Sequence, residues 1–453
     1  MDTNTSTEVK GFTKQTPWAY ALSQGGGFML IQATVASFIS VYMTDTVMIP
    51  AAAGSVIMFV ATLWDAINDP MMGGICDRTK TRFGSYRPYL LWVPAVNAIV
   101  CTLLFLNPQF QAMSAKIAWF TIFYILYGMS VTALTMPQMA LIPAATKDDG
   151  ERGKAIQYGI ISIAIAFTIA STFTSGWVEK IGSYAPLIVV YGVLSILANI
   201  WLFRTTKERY NQPAQESVLK DLGAFVKHKK LIIMLIVWMM ASLGYGSMFS
   251  TSVYYMMYYI TRPDLIGLYM GILSIGALVS MMVVMPIVLK ALKTVTRAFI
   301  FTQAVTLVCY AILFFIGNKS MIALYVLSFI ATAFGAMEQG LINFYVNDTI
   351  DYLQLMEDKS LNGMVSAVKG FAYKCGSTLT SSGILAILAV SGYIAGAVGQ
   401  QPDSAMFAIN AMRFLIPGAT CVIIIICLIF NPIEPHRAEI NEMKEKMKAV
   451  DEQ

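Results

Sequence analysis

The chain has 453 residues, of which 57% are hydrophobic and only 13% are charged, and its formal net charge is +5. Soluble domains have about a quarter of their residues charged, so this composition excludes an ordinary soluble protein and indicates an integral membrane protein. The basic residues lie in short loops and not on one face interleaved with aromatic side chains, which argues against nucleic acid as a partner.

Apolar segments of about 20 residues, the length that crosses the hydrocarbon core as a helix, recur along the whole chain. Only helices satisfy their own backbone in lipid at this length. We predict an all-α integral membrane protein. Its twelve transmembrane helices are predicted at 18–43, 52–75, 89–107, 116–143, 155–178, 185–203, 231–260, 266–289, 297–316, 321–346, 363–392 and 407–430.

A polar and basic break divides these spans into two halves of six. The predicted organisation is an N-terminal half at 1–203 with the cation site, a central loop at 204–230, a C-terminal half at 231–430 and a tail at 431–453. Lysines and arginines concentrate in the tails and in the loops after even-numbered spans, which places both termini and the central loop in the cytoplasm of a cell with an inner (plasma) membrane. Two halves of six spans, a basic central loop and cytoplasmic termini are what the major facilitator fold requires, so we predict that fold. In it the substrate site lies between the halves near the middle of the membrane.

The run WDAINDP at 64–70 places Asp65 and Asp69 one helical turn apart near the end of span two. Residues i and i+4 share a helix face, and Asn68 at i+3 joins them. A charged side chain at the bilayer centre costs roughly 2.5 to 3.5 kcal/mol, so two on one helix indicate a function. Their oxygens suit a hard monovalent cation or a proton, and we predict a cation site. Thr132 in span four could add a hydroxyl, unless it bonds its own helix carbonyl.

Loops predicted on the cytoplasmic side carry charges that can bond to helix ends across the bundle. One such loop follows span two and another follows span ten. A network of this kind must break when the cytoplasmic side opens, so we predict a gate; ordinary positive-inside or solvated loop charges are the alternative. The predicted gating residues are Asp77, Arg78, Arg82, Arg87, Asp348 and Asp351.

Polar side chains also interrupt spans four, ten and eleven. Lys374 lies too deep in span eleven to snorkel, so it should face the bundle interior. There it would bind substrate hydroxyls, sense occupancy of the cation site, or form a structural pair with a carboxylate. Arg413 lies near the outer end of span twelve, and we predict that it snorkels to the interface. The predicted substrate-binding residues are Lys374, Thr135, Gln138, Glu338 and Gln339, with a helix-packing role as the alternative for Gln138.

Several motifs of this chain resemble the glycoside–pentoside–hexuronide:cation symporters, the family of the melibiose carrier within the major facilitator superfamily. The resemblance spans nearly the whole chain. It implies that the cation is held at Asp65, Asn68, Asp69 and Thr132, with Na⁺ on Asp65 and Asp69 if the chain is sodium-coupled, and that Lys374 matches the lysine of helix eleven. The motifs are WDAINDP at 64–70, the arginines at 78, 82 and 87, DTIDY at 348–352 and KCGS at 374–377.

The sugar-binding positions of the melibiose carrier are changed in this chain, which lacks its carboxylates and its aromatic platform there. Glu338 is the candidate replacement for the missing carboxylate. The positions that the resemblance aligns with the sugar site are Phe28, Met29, Thr135, Met139, Ile160 and Gln339.

We therefore predict a cation-coupled symporter that imports a sugar or glycoside by alternating access, with Na⁺ or H⁺ as the coupling ion and no cofactor. The alternatives are a carrier of lysolipid or another amphiphile on the same fold, and a non-transporting membrane sensor. An enzyme is not predicted, because His228 and His436 are the only histidines and both lie outside the spans. The expected partners are a small carbohydrate and the lipid bilayer, and we expect a monomer.

Overall fold

The structure is a computed structural model that describes residues 12–210, 232–357, 362–431 and 433–443. Most of the predicted central loop and the end of the predicted tail lie outside the described residues. The side chain of Asp77, one of the predicted gating residues, lies outside the description as well.

The described chain is helical, and its only β-type pairings are isolated bridges that join Phe12 to Thr206 and Thr81 to Gly84. Four five-residue π-helical turns continue longer helices, at Tyr42–Thr46, Tyr255–Tyr259, Ser280–Val284 and Ala411–Leu415. The α-helices are α1 Thr16–Gly25, α2 Gly27–Val41, α3 Ala51–Arg78, α4 Tyr89–Leu104, α5 Met113–Ala145, α6 Asp149–Ile181, α7 Ala185–Thr205, α8 Ile232–Tyr254, α9 Ile266–Val279, α10 Met285–Leu292, α11 Val295–Ile316, α12 Met321–Gly335, α13 Glu338–Glu357, α14 Asn362–Val390, α15 Asp403–Asn410 and α16 Ile416–Ile429.

Ten helical segments of the described chain are long and apolar enough to cross a membrane by length and composition. This confirms the predicted all-α membrane fold. The helices at the predicted spans three and eleven, α4 and α14, are not among the ten. The first has only 16 residues, and the second carries Lys369 and Lys374 together with many serines and threonines. The count of twelve spans therefore stays a prediction at these two helices.

The first compact unit comprises Met1–Ala36 and Ile67–Gln215. Its core contains Phe28, Leu90 and Leu134, which are all at most 2% exposed. Glycines at the junction of α1 and α2 allow the close helix packing, because a β-carbon at Gly25 would overlap Ser162 of α6 and one at Gly27 would overlap the Tyr191 carbonyl of α7.

The second compact unit comprises Ser37–Ala66 and Glu216–Gln453, and its core includes Trp238, Phe299 and Tyr345. It therefore takes in the start of α3, which the sequence prediction assigns to the N-terminal half. The predicted boundary at 204–230 stays a prediction, because much of that range lies outside the described residues.

The prediction that Arg413 snorkels to the interface is wrong. The side chain is 0% exposed within the second unit, and its Nη2 atom donates to the Tyr269 hydroxyl at 2.8 Å. Its guanidinium lies 4.9 Å from the centroid of the Phe414 ring and 6.0 Å from that of Tyr310. Aromatic faces attract a desolvated cation, and they hold this arginine inside the bundle.

Candidate cation site

Asp69 of α3 is joined to α5 within the first unit. Thr132 Oγ1 donates a hydrogen bond to Asp69 Oδ1 at 2.9 Å, and the Thr132 side chain is only 6% exposed. The Thr132 hydroxyl therefore donates to the Asp69 carboxylate. The alternative, a bond from Thr132 to a carbonyl of its own helix, is not observed. Two of the four residues that the sequence predicts to hold a cation are in direct contact.

Neighbouring hydrogen bonds fix the turn of α5 that presents Thr132. Asn97 of α4 donates from Nδ2 to Ser130 Oγ at 2.8 Å, and Ser130 Oγ donates to the Tyr127 carbonyl at 2.7 Å. Asn97 is fully buried, so this bond is shielded from water and holds α4 against α5 two residues before Thr132.

The other two predicted cation ligands lie on the same continuous helix. Asn68 is 7% exposed, and its Nδ2 atom has no hydrogen-bond partner among the described residues. Asp65 lies one turn before Asp69 on α3 and is half-buried, as is Asp69. The described residues hold no group of three or more His, Cys, Asp or Glu suited to a metal ion. A set of carboxylate, amide and hydroxyl oxygens instead suits a hard cation with oxygen ligands.

Lys374 contacts the backbone of the same acidic helix within the second unit. Its Nζ atom donates to the carbonyl oxygen of Asp65 at 3.0 Å. Close packing of α14 on α8 places this lysine, because a β-carbon at Gly376 would overlap the Met239 carbonyl. Ser242 also donates to the Tyr373 carbonyl at 2.7 Å. The predicted inward orientation of Lys374 agrees with these contacts.

The predicted substrate-binding residues of α5 bond to protein groups of the first unit. Gln138 is fully buried; its Oε1 accepts from Gln24 Nε2 at 2.9 Å and its Nε2 donates to Asn199 Oδ1 at 2.8 Å. Both ends of this amide are occupied, which favours the helix-packing alternative. Thr135 Oγ1 donates to the Val131 carbonyl at 2.9 Å. Its hydroxyl hydrogen is therefore in use, and towards a ligand the oxygen can act only as an acceptor.

The two predicted substrate-binding residues at the start of α13 differ in their surroundings. Glu338 is 5% exposed and accepts from Gln303 Nε2 at 3.3 Å. Gln339 has a buried Nε2 atom with no hydrogen-bond partner in the described part of the chain. An unsatisfied buried amide donor costs free energy, which supports a ligand-facing role for Gln339.

The predicted gating arginines occupy the loop before α4. Arg87 donates from Nη2 to the Phe203 carbonyl at 2.7 Å, and its guanidinium lies 4.2 Å from the centroid of the Phe203 ring. Desolvation lowers the pKa of Arg87, and the nearby Glu208 carboxylate partly opposes that. Arg78 and Arg82 are exposed. The structure thus gives Arg87 partners within its own unit, and the gating role stays a prediction.

Glu208 was not predicted as a site residue, yet it organises the same loop. Its carboxylate accepts from the backbone N–H groups of Ser85, Tyr86 and Arg87 at 2.7 to 2.8 Å. The loop can approach so closely because Gly84 has φ of 108°, where a β-carbon would overlap Glu208. Three backbone donors that converge on one carboxylate are set by loop geometry, which the spacing of residues does not reveal.

Asp348 forms an ion pair with Arg437, a residue of the tail that the sequence analysis did not select. Arg437 Nη1 lies 2.7 Å from Asp348 Oδ2, and Arg437 Nη2 lies 3.2 Å from Glu434 Oε2. Burial alone would lower the pKa of Arg437, but the two carboxylates raise it above its ordinary value. Asp351 is half-buried one turn further along α13.

Asp45 is the acceptor of a cluster in the second unit that the sequence analysis missed. Tyr393 donates to Asp45 Oδ1 and Oδ2 at 2.8 Å each, Gly396 N–H donates to Oδ1 at 2.9 Å, and Tyr258 also donates to Oδ1. Thr44 donates to Oδ2 at 2.6 Å. The signal in the sequence is the tyrosine-rich run at 254–259 together with a lone acid at the end of span one.

Residues 22–435 match the family described as MFS/sugar transport protein, which covers nearly the whole chain. The chain belongs to this family. The predicted resemblance to major facilitator cation symporters is thereby confirmed, and the family is one of transporters.

Curated relatives of the chain are named symporters and transporters. It is 26% identical to the uncharacterized symporter YnaJ of Bacillus subtilis over 89% of each chain. It is 27% identical to the putative glycoside/cation symporter YagG of Escherichia coli, over 88% of this chain and 87% of the relative. It is 22% identical to the isoprimeverose transporter of Lactiplantibacillus pentosus, over 88% and 85%. These names do not favour the amphiphile carrier or the sensor.

Solved structures with the same fold include the nucleoside transporter NupG, with a TM-score of 0.64, 13% identity and coverage of 93% of this chain and 100% of that one. A bacterial homolog of the human lysosomal transporter Spinster matches with a TM-score of 0.63 and 13% identity, over 92% and 97%. At this identity the likeness shows the fold alone.

Proposed function

We propose that this protein is a cation-coupled symporter that imports a sugar or glycoside, with Na⁺ or H⁺ as the coupling ion. The observation that carries the proposal is the contact of Thr132 Oγ1 with Asp69 Oδ1 at 2.9 Å, on an acidic helix turn that also bears Asp65 and the buried Asn68. Two carboxylates at this depth of a span repel each other and are poorly solvated, so binding of one small cation stabilises the helix.

The cation ligands in this proposal are Asp65, Asn68, Asp69 and Thr132. A bound alkali ion would take the Thr132 oxygen as a ligand through its lone pairs, while the hydroxyl hydrogen keeps its hydrogen bond to Asp69 or turns to another acceptor. Protonation of one carboxylate would serve H⁺ coupling on the same residues. The same residues are thus suited to bind either Na⁺ or H⁺ as the coupling ion.

Lys374 supports the proposal because it adds a fixed positive charge beside the acidic helix. Its Nζ atom is held by the Asp65 carbonyl at 3.0 Å. This ammonium group offsets part of the negative charge when no ion is bound, and a cation that binds must compete with it electrostatically. We therefore assign Lys374 a role in sensing whether the cation site is occupied.

The membrane potential supplies the driving force in this mechanism. One elementary charge that moves inward through 100 mV gains about 2.3 kcal/mol, which equals roughly fifty-fold accumulation of a solute coupled to it. We infer the orientation that the loop charges predict, with both termini on the cytoplasmic side of the inner (plasma) membrane. The membrane potential then drives the coupling cation inward.

Uptake by purified protein in proteoliposomes tests the function. A panel of radiolabelled glycosides, pentosides and hexuronides is presented with an imposed Na⁺ gradient, an imposed H⁺ gradient or neither. We expect one class of sugar to accumulate above its outside concentration with one of the gradients. Counterflow of a sugar without dependence on either ion would contradict coupling, and neither uptake nor counterflow of any sugar would contradict sugar transport.

A further inference from the structure

Glu338 is a buried carboxyl group that the cation mechanism does not use. It is 5% exposed, and it begins α13 directly after the helix is interrupted at Ala336 and Met337. No ion pair of Glu338 is present among the described residues. The cost of an ionised carboxylate in such a place is large unless charges or several donors compensate it.

Few donors reach this carboxyl group. Gln303 Nε2 donates to Glu338 Oε2 over a long 3.3 Å. The N–H groups of the first turn of α13, which could stabilise an anion at a helix start, are bonded to backbone carbonyls instead. These bonds run from Gln339 to Ala336 at 3.3 Å and from Gly340 and Leu341 to Met337 at 3.0 and 2.9 Å.

The hydroxyl groups beside the carboxyl group are also committed elsewhere. Thr306 Oγ1 donates to the Thr302 carbonyl at 2.9 Å, and Thr420 Oγ1 donates to the Pro417 carbonyl at 2.8 Å. Their free lone pairs can accept a hydrogen bond but cannot donate one. These surroundings therefore favour a carboxylic acid, which can donate, over a carboxylate, which can only accept.

Among the residues that the structure describes, the titratable groups that face Glu338 supply no counter-charge. From the helices packed around it come Tyr245 of α8, Tyr310 of α11, Tyr373 of α14 and Cys421 of α16, which are neutral near physiological pH. The cationic side chain near Tyr310 is that of Arg413. Its Nε and Nη2 atoms donate to the Tyr269 hydroxyl and not to Glu338.

A cavity of about 10 Å³ borders Glu338, with Gln303, Thr306, Tyr310 and Thr420 in its wall. That space suffices for about one water molecule with polar partners, which is the minimum for a proton to leave or arrive. We propose that Glu338 binds a proton in this conformation, so that the second unit has a proton-binding site separate from the carboxylates of α3. A hydronium ion of the solvent gives up the proton and becomes water as an O–H bond forms on Glu338, without other chemistry. The proton-binding site itself does not depend on the proposed function. Only the inference that protonation of Glu338 is a second, pH-linked step of transport rests on that function.

Infrared spectroscopy of the full-length protein in lipid tests the proposal without any substrate. A protonated carboxylic acid has a C=O stretch that a carboxylate lacks. We expect the wild type at near-neutral pH to show such a band, and Glu338→Gln to lose it. Gln303→Leu should move the band to higher frequency, because the acid loses its one amide hydrogen bond. Thr302→Val on the same helix is the matched control, since its hydroxyl donates to the Phe299 carbonyl at 2.9 Å and Thr302 is not in the wall of the cavity.

Absence of the band in the wild type, or a Glu338→Gln spectrum that has lost none of the wild-type carboxylic acid absorption, would overturn the proposal. So would a band that disappears in Asp69→Asn and not in Glu338→Gln. If Glu338→Gln does not fold, the Gln303→Leu frequency still decides, and an unchanged frequency in that variant would count against Glu338. If no sugar is taken up but the infrared result is as expected, the symporter proposal is wrong. The proton-binding site at Glu338 is then still supported.

Discussion

Thr132 donates its hydroxyl hydrogen to Asp69 across 2.9 Å, which makes a threonine of α5 the neighbour of the acidic turn of α3. The bond is charge-assisted when Asp69 is ionised, and such bonds contribute about 1.5 to 3 kcal/mol. A hydroxyl so placed is either a ligand of the coupling ion or a support for the carboxylate that binds it. Both roles link Thr132 to cation affinity and not to folding alone.

Thr132→Val keeps the shape of the side chain and removes its oxygen. We expect the Na⁺ or H⁺ concentration for half-maximal uptake to rise by about tenfold or more, which corresponds to about 1.4 kcal/mol or more. The measurement is the ion dependence of sugar uptake in proteoliposomes. Thr121→Val is the matched control on the same helix, because Thr121 Oγ1 bonds the Ile117 carbonyl at 2.7 Å. Equal ion dependence in the two variants would count against a cation role for Thr132.

Lys374→Met removes the positive charge held at the Asp65 carbonyl. Since a fixed ammonium group opposes a second cation nearby, we expect the variant to need less Na⁺ for half-maximal binding, by about tenfold. The quenching of intrinsic tryptophan fluorescence by Na⁺ titration is a suitable readout. Lys369→Met is the control on the same helix, where Lys369 bonds Asn343 Oδ1 at 3.2 Å. An unchanged Na⁺ affinity in Lys374→Met would show that this lysine does not sense the ion.

Tyr393→Phe removes one hydroxyl that donates to both oxygens of the Asp45 carboxylate, each at 2.8 Å. We expect a loss of roughly 1.5 to 3 kcal/mol of stabilisation and a lower midpoint of thermal unfolding in detergent. Tyr325→Phe is matched to it, because the buried Tyr325 hydroxyl has no hydrogen-bond partner in the described ranges. If both variants melt at the same temperature, the Asp45 cluster contributes nothing measurable.

Gly27→Ala adds one methyl group where a β-carbon would overlap the Tyr191 carbonyl of α7. Backbone must shift to relieve that overlap, so we expect poor folding and a clear drop in the yield of monodisperse protein. Gly176→Ala tests the reverse case, since nothing lies within 4 Å of its β-carbon and alanine favours a helix. Size-exclusion chromatography compares the two, and equal yields would mean that the start of α2 and α7 are not packed as the structure has them.

The sequence was sufficient to predict the membrane helices and the turn that bears Asp65, Asn68 and Asp69, because apolar length and helical spacing are local properties. Thr132 was identified with help from the family resemblance, and its contact with Asp69 depends on how two helices pack. Arg413 shows what local patterns miss. Its position near a helix end predicts snorkelling, whereas the rings of Tyr269 and Tyr310 from distant helices enclose it together with that of the adjacent Phe414.

Charged groups with distant partners were the hardest to predict. The pairing of Asp348 with Arg437 and the three backbone donors on Glu208 are set by chain turns far apart in sequence. The spacing of charges along the chain identifies such residues as candidates but does not determine which partner each one finds.

Uphill sugar uptake by Asp69→Cys and Asp65→Cys, compared with sugar counterflow by the same proteoliposomes, tests the central claim most directly. If these carboxylates hold the coupling ion, both variants lose accumulation against a gradient while counterflow of the sugar persists. Accumulation at the wild-type level in either variant would contradict the cation site on α3.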